Sequence, residues 1–255
     1  MKKGILVNFK NKLINGPVYG LFSKTSDPSV IEAVGISGFD FVILDMEHGP
    51  NDFKNIENLV RAAENFSLVP IIRVAENSPT LIGKALDTGA VGVQIPNISN
   101  REDALAAVEA ARFYPLGKRG VCRFVRNANY GSISVNQYFK SSNECIVCIQ
   151  IEGKEGIDSI DQILEVDGID IVFIGPYDLS QSLGIPGDIQ NKLIWQSIKI
   201  IAEKAKKKKK SLGIFIDDIS KKEDAIKNGI NYIAYSVDIE IMRDSCEKIV
   251  KKLLK

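Results

Sequence analysis

Histidine is almost missing from this chain: His48 is the only one in 255 residues. That scarcity excludes any centre built from several imidazoles, such as a three-histidine zinc site. Cysteine is scarce as well, with four residues in a chain long enough to bury a full-sized core, so no secreted disulfide framework is expected. Cys145 and Cys148 fall in an apolar run that reads as a strand, where residues three apart face opposite sides, and no shared metal or redox pair is expected there. There is no run of bilayer-spanning length and no apolar amino-terminal signal segment, which points to a cytoplasmic protein with no membrane partner. An excess of one charge is also missing: 33 Lys and Arg against 32 Asp and Glu leave +1, so no global field favours nucleic acid.

What is present is alternation. Short apolar, β-branched runs at 18–22, 41–45, 68–73, 91–96, 145–152, 171–175, 212–216 and 232–235 read as strands. Helical patterns follow at 29–37, 52–65, 79–89, 100–112, 156–165, 178–183 with 189–210, 221–228 and 239–254. Asn77-Ser78-Pro79 offers a capping residue and a proline at one helix start, and Gly89 its stop. The regularity breaks at about 113–144, a segment rich in Gly, Arg, Asn, Ser and Tyr that reads as a long, ordered βα loop lying over something. Eight strand-helix units with near-continuously apolar strands predict a single α/β domain over 1–255, a (β/α)8 TIM barrel, with a doubly wound open sheet as the alternative.

A barrel puts its chemistry just past the carboxyl ends of its strands. Those positions hold Asp45 and His48, Arg73, Gln150 with Glu152, and Asp178. The stretch Phe41 to Pro50 is the clearest case, because a buried apolar run ends in Asp, Glu and the lone histidine before a Gly-Pro turn, although a single histidine can also be just a polar loop residue. Glu152 and Asp178 are hard oxygen ligands suited to Mg2+ or Mn2+. The competing readings are that Glu152 pairs near Lys154 and that Asp178 caps a helix. The turn through Tyr177 and Asp178 also offers backbone N–H groups to an anion. Arg73 would be costly to bury alone, so it pairs with Asp45, holds an anionic substrate oxygen, or does both. The sixth strand has no lysine for Schiff-base chemistry, so a metal must do the electrophilic work.

These residues fall within a larger set of motifs: Phe39-Asp40-Phe41 to Glu47-His48-Gly49-Pro50, Leu86-Asp87-Thr88-Gly89, Gly117-Lys118-Arg119-Gly120-Val121, Gln150-Ile151-Glu152, and Phe173-Ile174-Gly175-Pro176-Tyr177-Asp178-Leu179-Ser180. Through them the chain resembles the HpcH/HpaI aldolases, metal-dependent pyruvate aldolases on a TIM barrel. The resemblance implies that Glu152 and Asp178 hold a divalent metal, Mg2+ or Mn2+ with Co2+ a third candidate. It implies that His48 acts as a base through an ordered or metal-associated water, that Arg73 stabilises the pyruvate keto or enolate oxygen, and that Gln150, Gly175, Pro176 and Tyr177 line the pyruvate site. Asp45 and Asp87 would orient Arg73 and His48, in relatives across a subunit boundary. The implied reaction is reversible cleavage of a 4-hydroxy-2-oxo acid of the 2-keto-3-deoxy sugar acid type into pyruvate and an aldehyde.

Two departures bear on the substrate. Tyr177 replaces the small residue common at that turn, and Arg123 and Arg126 lie in a segment more basic and aromatic than its counterparts. These arginines could read a second carboxylate or a phosphate, or they are surface or interface residues. The lysine run at 204–210 ends a helix, where cations suit the dipole. Trp195 and the apolar face of the last helix, including Ile239, Ile249 and Leu253, are expected to pack on the barrel. The resemblance also implies a homo-oligomer, dimers assembled into hexamers, with carboxyl-terminal helices exchanged between subunits. The alternatives are another metal-enolate lyase or transferase on this barrel, or a non-catalytic scaffold.

Overall fold

The computed structural model describes the backbone of residues 2–255 and the side chains of residues 4–255. Helix α1 (Lys2–Asn15) leads into β1 (Val18–Ser23), and the chain then alternates: α2 (Pro28–Ile36), β2 (Phe41–Asp45), α3 (Phe53–Asn65), β3 (Val69–Arg73), α4 (Pro79–Asp87), β4 (Gly92–Ile95) and α5 (Arg101–Ala111). After α6 (Val135–Ser142) come β5 (Ile146–Ile151), α7 (Lys154–Asp158), α8 (Ile160–Leu164), β6 (Ile171–Ile174), α9 (Pro176–Ser182), α10 (Lys192–Lys207), β7 (Ser211–Ile216), α11 (Lys222–Lys227), β8 (Tyr232–Val237) and α12 (Asp238–Leu253). The strands are parallel, and they close in chain order into an eight-stranded barrel, β8 pairing back onto β1. The open-sheet alternative falls with that closure.

Strand alternation splits the core into two layers. Val42, Leu44, Ile72, Val93 and Ile149 face outward into the helices. Phe41, Ile43, Ile71, Cys148 and Phe173 face inward. Each fully buried Ile or Leu contributes roughly 1.5–3 kcal/mol, so the outer layer, the larger of the two, dominates stability. Cys145 belongs to the outer layer and Cys148 to the inner, as the strand period requires. The floor of the barrel is aromatic: Phe41 stacks on Tyr232 with ring centroids 3.9 Å apart. Gly20 makes room, since a Cβ there would stand 2.4 Å from the Phe41 ring.

Several local expectations need correction. Helix α1 is absent from the sequence pattern above; it turns Leu6, Phe9 and Leu13 onto the floor aromatics and closes the end of the barrel where the strands begin. Residues 156–165 are two short helices, broken at Ser159. Ser78 precedes α4 without making a side-chain cap bond, leaving Pro79 as the start signal. On α12, Ile239, Ile249 and Leu253 are exposed, so the barrel does not cover the face they occupy, whereas Trp195 packs on the outer layer as expected.

The segment at 113–144 lies between α5 and β5, which makes it an αβ connection and not a βα loop. It therefore sits at the end where strands begin, away from the mouth. It is ordered, with a 3-10 turn at Arg126–Gly131 and α6, around a satellite core of Phe113, Ala128 and Tyr138. What it lies over is the carboxyl ends of α3 and α4: Arg126 pairs with Glu64 and donates to the Thr88 carbonyl at 2.9 Å.

Candidate active site

At the other end, where the strands finish, a cavity of about 290 Å3 opens. Lys24, His48, Arg73, Gln150, Tyr177 and Asp178 line it, over a floor that includes Phe22, Phe173 and Phe215. These rings meet edge to face, Phe22 lying 6.0 Å from Phe173 and 5.8 Å from Phe215.

Arg73 closes β3 opposite Asp45, which closes β2, so strand register alone puts the two side by side. The guanidinium donates to Asp45 through Nε at 2.9 Å and Nη2 at 2.8 Å, pairs through Nη1 with Glu47 at 2.9 Å, and lies 4.7 Å over the Phe22 ring. Arg73 is therefore paired with Asp45, as one sequence reading expects, and it also lines the cavity. Burial alone would raise the Asp45 carboxyl, but the Arg73 bonds and charge, with N–H bonds from His48 and Glu47, hold it below its ordinary value. Asp45 thus orients Arg73 directly, while its bond to residue 48 is to the backbone N–H, at 3.3 Å. The imidazole itself is on the exposed rim of the cavity.

A second buried relay comes from β4 and β5. Gln94 Nε2 donates to Gln150 Oε1 at 2.7 Å, and Gln150 Nε2 donates to Glu152 Oε2. The other Glu152 oxygen accepts the Asn97 N–H at 2.7 Å, from a residue in the left-handed region at φ 58°. Lys154 is not its partner, so the surface-pair reading of Glu152 fails. Burial pushes the Glu152 carboxyl up, the Gln150 and Asn97 bonds pull it back, and the charges of Glu47 and Asp178 push it further. Glu47 is raised likewise, by burial first, then by Asp45 and Asp178 against the pull of Arg73. Asp178 lies inside the first turn of α9, with Gly175 at the cap position, so it is not the cap and its exposed carboxylate stays available to the cavity.

Among the described residues no group of three or more His, Cys, Asp or Glu side chains gathers closely enough to hold a metal unaided. A centre of two carboxylates completed by water and substrate nevertheless fits. Glu152 and Asp178 are hard donors in mutual repulsion, which a cation would relieve. Gly175 keeps the space beside Glu152 clear, since a Cβ there would come within 2.9 Å of Glu152 Oε2 and 3.3 Å of Gln150 Nε2.

Three expected site residues lie elsewhere in the chain. Asp87 ends α4, at the closed end, and accepts from Arg119 at 2.6 Å. Arg126 is held by Glu64 there, and Arg123 donates to the carbonyls of Gly131 and Ile133 at 3.3 and 3.0 Å. The physical reason is the one that moved their segment: residues that follow helices emerge at the opposite end from residues that follow strands. Conversely, Lys24, Glu47, Gln94 and Asn97 belong to the site although none is among the residues to which the sequence assigns a role there. Gln94 is a polar residue inside an apolar strand, and Lys24 stands just past β1, so both carried a legible signal. Tyr177 reaches over the cavity rim, its hydroxyl donating to Asp217 and its ring 6.1 Å from Phe215. The Asp217 bond, with lesser contributions from burial and charge, raises that phenol to about 12.

A parallel barrel whose strand ends gather an arginine, a histidine and facing carboxylates around a small cavity is the architecture of an enzyme acting on a small molecule. The chain belongs to the HpcH/HpaI aldolase/citrate lyase family, whose sequence model matches residues 18–245. It is 32% identical over 237 residues to a 5-keto-4-deoxy-D-glucarate aldolase of Enterobacter sp. (strain 638), spanning 92% of each chain. Among solved structures it superposes on an HpcH/HpaI aldolase/citrate lyase family protein from Burkholderia cenocepacia J2315 with a TM-score of 0.92 at 30% identity, covering 97% of this chain and 99% of that one. It matches the citrate synthase SbnG at 0.86 and 30% identity, covering 96% and 97%. The protein is a carbon–carbon lyase of the aldolase class. No helix among its described residues is long and apolar enough to cross a membrane.

Proposed function

We propose that the protein cleaves a 4-hydroxy-2-oxo acid of the 2-keto-3-deoxy sugar acid type, reversibly, into pyruvate and an aldehyde with the help of a divalent cation, Mg2+ or Mn2+. The observation that carries this reading is the buried relay Gln94–Gln150–Glu152 set opposite an arginine fixed between Asp45 and Glu47. Glu152 and Asp178 are the residues that would hold the ion, which when bound supplies Lewis acidity toward the 2-oxo group and so favours enolate chemistry. Arg73 keeps N–H groups on Nη1 and Nη2 beyond those its two carboxylates engage, and these stabilise the oxygen on which negative charge develops. His48, on the open rim, exchanges the proton of the C4 hydroxyl through an ordered water. Gln150 and the turn Gly175-Pro176-Tyr177 bound the pyruvate half. The aromatic floor excludes water from the enolate.

The exposed apolar residues of α12 support assembly with further copies of this chain. In such a homo-oligomer Asp87, at the closed end of its own barrel, would serve a neighbouring copy's site. The cytoplasm is the compartment that suits four unpaired cysteines. The 30% identity with a citrate synthase favours one competing reading, in which the enolate of an acyl thioester, in place of that of pyruvate, adds to a 2-oxo acid.

The test is exchange of the pyruvate methyl protons with deuterated water, followed by NMR with Mn2+ or Mg2+, with and without EDTA, beside Glu152→Ala. Metal-dependent exchange that the variant loses supports enolate formation at this site. Absence of exchange in folded protein loaded with either ion would sink the proposal. Acceptor screening then separates aldehydes from 2-oxo acids.

A further inference from the structure

One cation in the cavity wall has no counter-charge. Lys24 lines the cavity beside His48, Arg73 and Tyr177, and among the described residues its ammonium forms no ion pair or hydrogen bond. Arg73, the other permanent cation there, is already engaged by two carboxylates. Glu47, Glu152, Asp178 and the Asp217 that receives Tyr177 weight the mouth toward negative charge. Any anionic group on the substrate away from the pyruvate half would be repelled there unless Lys24 met it.

The backbone that carries Lys24 is also built with unusual care for a lysine. Between Gly20 and Phe22 the pairing of β1 with β8 shifts register, because β8 carries an extra residue, and Ser236 there adopts φ 54°. The bulge brings Val237 to the cavity wall and delivers Asp238, 9% exposed, to the end of β1. Asp238 accepts the Lys24 N–H at 3.1 and 3.2 Å, the Thr25 N–H at 3.1 Å and the Ser23 hydroxyl at 2.6 Å. On the other side Asn51, 8% exposed, donates to the Lys24 and Thr25 carbonyls at 3.4 and 3.0 Å. A solvated surface lysine needs no such anchorage, whereas a side chain that must present its charge at one place does.

We infer that Lys24 is a specificity-determining residue that selects the aldehyde half of the substrate by binding an anionic group on it. This rests on the aldolase reading above and assigns to Lys24 the recognition that Arg123 and Arg126 cannot provide within one chain. A carboxylate and a phosphate share the required chemistry. Tyr177 and Phe215, whose ring centroids are 6.1 Å apart, line the same cavity and limit the length of the acceptor.

The experiment is aldol addition of pyruvate, with Mn2+, to acceptors of matched size: glyoxylate against glycolaldehyde, succinic semialdehyde against butanal, and glycolaldehyde phosphate as the phosphate arm. The ratio of kcat/KM for the charged acceptor to that for its neutral match is measured in the full chain and in Lys24→Gln, Lys24→Arg and Lys24→Glu. Loss of one charge-assisted contact predicts that the ratio falls about tenfold to a hundredfold in Lys24→Gln, mainly through KM, with Lys24→Arg retaining most of it and Lys24→Glu falling below Lys24→Gln. The arm that shows the larger fall names the anion. An unmodified protein that does not prefer charged acceptors, or a Lys24→Gln variant that keeps the preference or slows both acceptors alike, overturns the inference. Pyruvate exchange in the unmodified protein separates the two failures: exchange with an unaltered ratio refutes the role of Lys24 alone, and no exchange removes the aldolase reading with it.

Discussion

Replacing Arg73 by alanine tests the site as a structural as well as a chemical unit. The side chain is 8% exposed and Asp45 0%, so removal leaves a fully buried carboxylate facing an empty space. Breaking a buried pair on one side costs about 3–5 kcal/mol. Asp45 retains the Glu47 and His48 N–H bonds, at 3.0 and 3.3 Å, which places the cost near the lower end, about 3 kcal/mol. For a chain of this size each kcal/mol shifts the melting temperature by about 2–4 °C, so a fall of about 6–12 °C is expected by calorimetry in EDTA. Neutralising both stranded carboxylates in Asp45→Asn/Glu47→Gln/Arg73→Met should recover more than half of it, because an uncharged set of similar volume carries no uncompensated charge. Activity separates from stability in Arg73→Lys, which keeps the charge but not the planar fork that engages Asp45 and Glu47 together. That variant should lose about a hundredfold or more in kcat/KM for aldol cleavage. A melting temperature within about 2 °C of the parent in Arg73→Ala would show that the pair is not buried as described, and a fully active Arg73→Lys would refute the role of the fork.

Other consequences follow from the same geometry. Gly175→Ala places a methyl 2.9 Å from Glu152 Oε2, so the carboxylate must move. Displacements of that size cost up to about a hundredfold in rate, and steady-state kinetics should show the loss with only a small change in melting temperature. In acid the Asp45 contribution has a definite sign. Its carboxyl is held below the ordinary value of about 3.9, so its stabilisation is complete above that pH and disappears as pH falls through the lower folded value. Thermal scans should therefore show the parent losing stability below about pH 4 more steeply than Asp45→Asn. Arg126→Ala removes one charged partner of Glu64 and the bond to the Thr88 carbonyl, a loss of about 1.5 kcal/mol that should lower the melting temperature by about 3–6 °C. Lost selectivity for charged acceptors without that fall would instead put Arg126 at a neighbouring copy's substrate.

The repeating unit of the fold was legible because it is local. Near-continuous apolar, β-branched runs, proline at helix starts and glycine at their stops are written in adjacent residues, and eight such units close in only one common way. The same rule located Asp45, His48, Arg73, Gln150, Glu152 and Asp178, because a residue just past a parallel strand must emerge at the carboxyl end. It placed them without their partners. That Glu47 shares Arg73, that Gln94 anchors the relay to Glu152, and that Asn97 and Asp238 spend backbone strain and buried charge to fix their neighbours are facts of contact between strands far apart in sequence. The segment at 113–144 shows the cost of losing the unit boundary: taken as a loop after a strand it belongs at the mouth, taken as a loop after α5 it belongs beneath the floor, and composition alone does not distinguish them. The sequence by itself determined the barrel and the types of residue at its mouth, through periodicity and strand direction. Only the tertiary structure decided which of those charges are paired, leaving Lys24 without an ion pair among the described residues while Arg123, Arg126 and Asp87 lie at the opposite end, because pairing depends on register and side-chain reach across the closed sheet.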